Sequence, residues 1–284
     1  MVIELPIIGS LALGTGTVLE RLVLKNKKIG IKLYQVVSFL AIVLALIPFL
    51  FFFWKINSGA FELKNILIFV GVIICSIFAN LLIFYSEKWE KITNLEPAKL
   101  LEPLFVILLT LGLGFLIADW DNESPKVIIP AIIAALALIF SHVRKHHLQF
   151  NKYFIATIFG SLFFALELVL SSFILEFYSS ITFYFLRCLS VLIISLAIFR
   201  PKFKALDKKT SGIILLTGII WVVYRMMIYF GYLHYGIIFT TLMIMLGPIV
   251  VYILANRLLK EKLNWKNIVS SIIIIACVLY ATLS

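Results

Sequence analysis

Five ionisable side chains stand inside long apolar stretches of this sequence: Lys99, Glu102, Glu167, Arg187 and Arg225. An ion in hydrocarbon is expensive, so such residues pair with one another or face a water-filled cavity. Arg225 has the chemistry to anchor an anionic group of a solute, and Glu167 to hold a cation or a proton. The competing reading is an ion pair that ties helices together. Lys99 and Glu102 are three residues apart and share a helix face, which predicts an intrahelical pair with Glu102 able to reach a cavity. Arg187 reads as a structural charge that holds, or snorkels from, the outer end of its helix. Glu20 and Glu96 read as solvated groups close to the membrane surface. Trp221, Tyr224, Arg225 and Tyr229 fall on one broad helical stripe. An aromatic wall beside an arginine suits an amphipathic or aromatic solute, although aromatic residues also pack against lipid and neighbouring helices. Asn80 reads as a solute contact or as a hydrogen bond between helices.

Other residues qualify the backbone rather than the chemistry. Gly14 and Gly16 would let a helix flex or pack tightly, and Ala131, Ala134 and Ala135 mark a close helix contact. Pro103 and Pro248 each free a backbone carbonyl and predict a kink. No HExxH, GxSxG, Walker or clustered-aspartate motif is present, so no catalytic residue, metal or cofactor is expected. His142, His146 and His147 lie in a basic segment without a carboxylate cluster, a poor metal ligand set. Cys75, Cys188 and Cys277 sit in apolar runs with no CxxC spacing, which indicates neither a disulfide framework nor a metal site.

The elements that carry these residues follow from composition. The chain has 284 residues, is 63% hydrophobic and 14% charged, and has a mean hydropathy of +1.11. That apolar excess cannot be covered by the polar surface of a soluble domain, and a bilayer crossing needs roughly 20 apolar residues. Apolar runs between charged or turn-forming breaks predict ten transmembrane helices, at 5–24, 33–54, 64–86, 95–117, 126–143, 153–175, 180–199, 211–233, 237–256 and 266–283. The first run reads as a span, not a cleaved signal. Trp54, Trp89, Trp120 and Trp265 fall at run ends, where amphipathic rings favour the interface.

The net charge of +11 is distributed as in a membrane protein, which argues against nucleic acid as a partner. Nineteen Lys and Arg fall in the connections that follow odd-numbered runs, against three (Lys55, Lys64 and Lys126) in the others. The positive-inside rule then places both termini outside the cell membrane. In the second half the sidedness of the basic connections is exchanged, as five spans per repeat require. Short echoes recur in order: Gly9-Ser10-Leu11 with Gly160-Ser161-Leu162, Ile31 to Tyr34 with Ile181 to Tyr184, and Leu101-Glu102-Pro103 with Leu246-Gly247-Pro248. The expected architecture is an all-α membrane protein of two inverted five-helix repeats, 1–147 and 148–284.

The Glu-Pro run Leu101 to Val106, its partner Leu246 to Val251, the ending Leu259-Lys260-Glu261-Lys262-Leu263 and the arginine within Phe185 to Leu189 resemble the ten-span, EamA-like branch of the drug/metabolite transporter superfamily. The chain departs from that pattern at Lys260, where glycine is usual, and at Ile117-Ala118-Asp119, where a glutamate is expected. The resemblance implies a cavity lined mainly by spans 1, 3, 4, 6, 8 and 9. It also implies a secondary transporter, an exporter of a small organic solute such as an amino acid or other metabolite, working by alternating access. Its partners would be the solute, the lipid bilayer and a coupling proton or ion. Two readings from other classes are a lipid-modifying membrane enzyme and a non-transporting membrane scaffold, the latter implying dry packing around Arg225.

Overall fold

The computed structural model describes residues 4–90, 95, 98–99, 101–116, 125–142, 151–247, 249–250 and 265–283. Among them run ten α-helices: α1 (Glu4–Leu24), α2 (Ile31–Phe53), α3 (Leu63–Trp89), α4 (Leu101–Leu116), α5 (Pro125–His142), α6 (Lys152–Ser172), α7 (Ser180–Phe199), α8 (Lys208–Tyr235), α9 (Ile237–Ile244) and α10 (Trp265–Leu283). Each coincides with one predicted apolar run. Five of them, α2, α3, α6, α7 and α8, are long and apolar enough to cross a membrane by length and composition.

Helix ends are set by local chemistry. The Asn151 side chain accepts from the backbone N–H groups of Tyr153 and Phe154 to start α6, and Ser179 accepts from Thr182 to start α7. Asp207 caps α8 through the Thr210 N–H, and the hydrogen bond from Thr210 holds the exposed Asp207 carboxyl below its usual range. Gly236, at φ 84°, ends α8 and opens α9, a conformation that a Cβ would strain. The ninth predicted span is shorter than expected as a continuous helix. After Ile244 the chain turns at Met245 and Leu246 before helical geometry resumes. Pro248 itself lies outside the described residues.

The helices pack as pairs. α3 lies along α6 and α1 along α8; α2 packs against α7 and α5 against α10; α2 also meets α8 and α3 meets α7. Adding or subtracting five converts each of these pairings into another of them, or into itself. One core joins α2, α7 and α8 with parts of α1, α3, α4 and α6 around Val36, Phe183, Cys188 and Tyr229. A second joins α4, α5, α9 and α10, and there Ala131, Ala134 and Ala135 are fully buried, which lets the helices approach closely. The outward faces are apolar: Phe51 is 88% and Phe52 75% exposed, with Leu67, Ile198 and Ile272 also exposed. A surface of this kind suits lipid, since a soluble protein rarely presents so large an apolar area. The C-terminal end of α2 and the N-terminal end of α7 are strapped together by Asn57 N–H to Phe177 O at 2.8 Å and Ser179 N–H to Lys55 O at 3.1 Å.

Candidate solute cavity

A cavity of about 190 Å³ opens between α1, α2, α3, α4, α6, α7, α8 and α9. The helices expected to line it do so, and α2 and α7 join them through Ser38, Phe39, Ile42, Tyr184 and Arg187. An apolar cavity of about 150 Å³ holds benzene, so by proportion the space suits a solute of roughly eight heavy atoms.

α8 supplies the largest share of the wall. Trp221 and Tyr224 face the cavity with ring centroids 5.4 Å apart in an edge-to-face arrangement, and Arg225, Ile228 and Tyr232 continue the surface. Their placement depends on how closely α8 approaches its neighbours. A Cβ on Gly218 would stand 2.9 Å from the backbone and Cβ of Ala41 in α2, so only glycine permits this crossing. Gly16 of α1 lies against the Trp221 indole, and Gly14 is buried on the same helix. At the break after α9, Gly247 fits over Leu13 of α1, where a Cβ would come within 2.5 Å of the Leu13 side chain.

Arg187 is not a charge that snorkels to the surface. It is 2% exposed and donates from Nη1 both to Glu167 Oε1 and to the Tyr229 hydroxyl, the latter at 2.7 Å. Arg225 Nη1 lies 3.1 Å from Glu167 Oε2. The Tyr229 hydroxyl lies 3.3 Å from Glu167 Oε1, and the Ser171 hydroxyl at 3.3 Å from the same oxygen also donates to the Glu167 carbonyl. The two guanidiniums rest over the rings of Tyr184 and Phe164, at 4.9 Å and 5.6 Å. Arg187 and Arg225 reach the cavity wall, whereas Glu167 is wholly buried behind them. Glu167, Arg187 and Arg225 thus meet, with Tyr229 as a fourth member.

Other expected residues are placed differently. Asn80 lines the cavity, but its amide donates to Ser76 O of its own helix at 2.7 Å and not to a neighbouring helix. Glu102 and Pro103 line the cavity at the start of α4. Lys99 reaches across to Glu87 of α3 in an ion pair, so it ties two helices together and is not confined to Glu102 on its own. Glu20 is a correction: it is not solvated at an interface but 7% exposed on the cavity wall, accepting from the Tyr34 hydroxyl at 3.4 Å. Its position follows from α1 packing along α8, which covers the last turns of α1. Glu87 was not singled out from sequence, because the apolar run ends before it and Glu87-Lys88-Trp89-Glu90 reads as a solvated end. The helix continues through Trp89, and Glu87 is wholly buried.

Comparison with known proteins places this geometry in a family. No curated protein matches the chain. Twenty-eight solved chains share its fold. One of these, described simply as the crystal structure of a protein, is 13% identical, with a TM-score of 0.71 over 99% of this chain and 96% of that one. At that identity the likeness concerns the fold alone. Residues 151–283 match the EamA-like transporter family. These residues begin at the cap of α6 and include Glu167, Arg187, Arg225 and Tyr229, so the arginine cluster lies in the matched segment. That segment, just under half of the chain, carries the likeness to the EamA-like transporters of the drug/metabolite transporter superfamily, and the apolar helices around it are those of a multi-pass membrane protein.

Proposed function

We propose that the protein is a secondary transporter, an exporter in the cell membrane, for a small organic solute bearing an anionic or zwitterionic group. The observation that carries this reading is the wall of the cavity at Arg187 and Arg225. Two guanidiniums share one carboxylate, and arginine keeps its charge in a protein, so the cluster has a positive charge left over beside the cavity. A carboxylate or phosphate would complete it. Trp221 and Tyr224 would take the apolar part of the solute, with Glu102 and Asn80 as the polar contacts opposite. Glu167 then acts from behind by positioning the arginines. A cavity at Arg225 disfavours the non-transporting scaffold, and no observation favours a lipid-modifying enzyme.

Alternating access would rock the repeat 1–147 against the repeat 148–284, with both termini outside, Gly14 and Gly16 accommodating the tilt, and Pro103 and Pro248 breaking the equivalent helices. Support comes from the helix pairings that exchange under a shift of five. Gly9 of α1 packs on Met227 of α8, while Gly160 of α6 packs on Ile83 and Ala79 of α3. Gly9 and Gly160 open the same Gly-Ser-Leu echo, and Ala79 and Met227 are 148 residues apart. Both contacts therefore recur at corresponding places.

The test is counterflow of a labelled amino-acid mixture in proteoliposomes. Arg225→Gln leaves Glu167 paired with Arg187, so the variant should fold. Losing a buried charged contact to the solute costs about 2–5 kcal/mol, at least a ~30-fold weaker uptake at limiting solute. Uptake equal to that of the unaltered protein would refute Arg225 as the anchor.

A further inference from the structure

A second polar cluster meets the cavity, built wholly from the first half of the chain. Glu20 of α1 lines the cavity, Glu87 of α3 is sealed behind it, and Lys99 forms its ion pair with Glu87. Glu20 and Glu87 lie close enough for their carboxyl groups to interact, with Lys99, the ion-pair partner of Glu87, on the same cavity wall as Glu20. The remaining polar groups turned toward Glu20 are the Tyr34 hydroxyl of α2, at 3.4 Å, and the Trp221 indole of α8. Among the described residues, two carboxyl groups thus face one ammonium. With both ionised the cluster would hold a negative charge that Lys99 does not neutralise, in a place where an unpaired ion is very costly. Glu87 Oε2 is also buried without a hydrogen-bond donor.

A single proton answers both needs. It removes the surplus charge, and as a carboxyl O–H it supplies the donor that two adjacent carboxylate oxygens lack. A magnesium or calcium ion would need about six oxygen ligands, more than this cluster offers. We propose that Glu20 and Glu87 form a proton-binding site holding one shared proton, and that this proton is the ion coupled to solute movement. The coupling half rests on the transport reading given above. The proton enters from cavity water onto a Glu20 carboxylate oxygen, is shared with Glu87 and returns to water by the same route. Solute and proton meet through Trp221, which faces Glu20 on one side and packs on Tyr224, beside Arg225, on the other. A solute against that aromatic wall displaces the water that serves Glu20.

The experiment is infrared spectroscopy of the full-length protein in lipid, titrated with acid and base, following the carbonyl absorption of protonated carboxyl groups. Glutamine is a neutral isostere of the protonated acid, and gel filtration with a melting curve verifies folding. Glu20→Gln and Glu87→Gln are each expected to lose the same single component, and the double variant no more than either alone. Should Glu87→Gln fail to fold, Glu20→Gln decides alone, because its side chain lies at the cavity wall. Survival of the component in Glu20→Gln, or twice the loss in the double variant, would overturn the shared proton. In proteoliposomes carrying the labelled amino-acid mixture, an imposed pH gradient should accelerate the unaltered protein several-fold and Glu20→Gln not at all; equal acceleration of both overturns the coupling. If the unaltered protein moves none of these solutes, the transport reading fails, while the infrared result still decides the proton site.

Discussion

The two charged clusters of the cavity wall come from different halves of the chain and are finished to different degrees. The arginine cluster, from α6, α7 and α8, is the more enclosed: Glu167 meets both guanidiniums, Tyr229 and Ser171, and the Arg187 and Arg225 side chains are 3% and 8% exposed where they reach the cavity. The carboxyl cluster, from α1, α2, α3 and the segment before α4, is more open: Lys99 keeps 19% of its side chain exposed. Under the 151-residue offset of the Gly9 and Gly160 echo, Glu20 falls opposite Ser171, one helical turn from Glu167. Similar helices thus carry a glutamate in similar places, with a surplus of opposite sign around each. A closed cluster with fixed charge suits holding a solute group, and an incomplete one suits taking up and releasing a small ion.

The largest effect separating the two should come from removing their buried acids. Glu167→Ala leaves two guanidiniums buried without a carboxylate and should destabilise the protein by about 3–5 kcal/mol. Glu87→Ala should cost markedly less, since Lys99 can turn to water. Unfolding titrations with SDS in mixed micelles measure both, and equal losses would erase the contrast between closed and open. Next comes the scaffold shared by the two clusters. Gly218→Ala forces a methyl into the Ala41 backbone and should cost about 1–3 kcal/mol, whereas Gly212→Ala, with open space around it, should be neutral or stabilising by up to ~1 kcal/mol in the same titration. The smallest effect compares the phenols. Tyr229→Phe removes contacts to Arg187 and Glu167 and should cost about 0.6–1.7 kcal/mol. Tyr34→Phe removes only a 3.4 Å contact and should stay below ~0.5 kcal/mol. A reversal of that order would place the tighter network at the wrong end.

Much of the fold was legible because apolar run length answers directly to bilayer thickness. The run predicted at 180–199 is the helix Ser180–Phe199, and the other nine runs each contain a helix. The departures have local causes. α3 runs three residues past its expected end, because Ser86 and Lys88 find acceptors on Tyr153 and on the turn after α1, so Ser86 and Glu87 are buried while Trp89 stays exposed. The ninth span breaks at Met245, where its N–H is shared among three carbonyls.

Of the site, the sequence alone determined that Glu167, Arg187 and Arg225 stand inside apolar runs of about the length a bilayer crossing needs. Composition alone determined that such charges must find partners or a cavity. Which partners they find was decided only by the tertiary structure, because pairing across helices depends on which faces meet, and spacing along one helix carries no such information. That is why Lys99 reads as a partner of Glu102 and is found on Glu87, and why Glu20 reads as solvated at an interface and is found on the cavity wall beside α8.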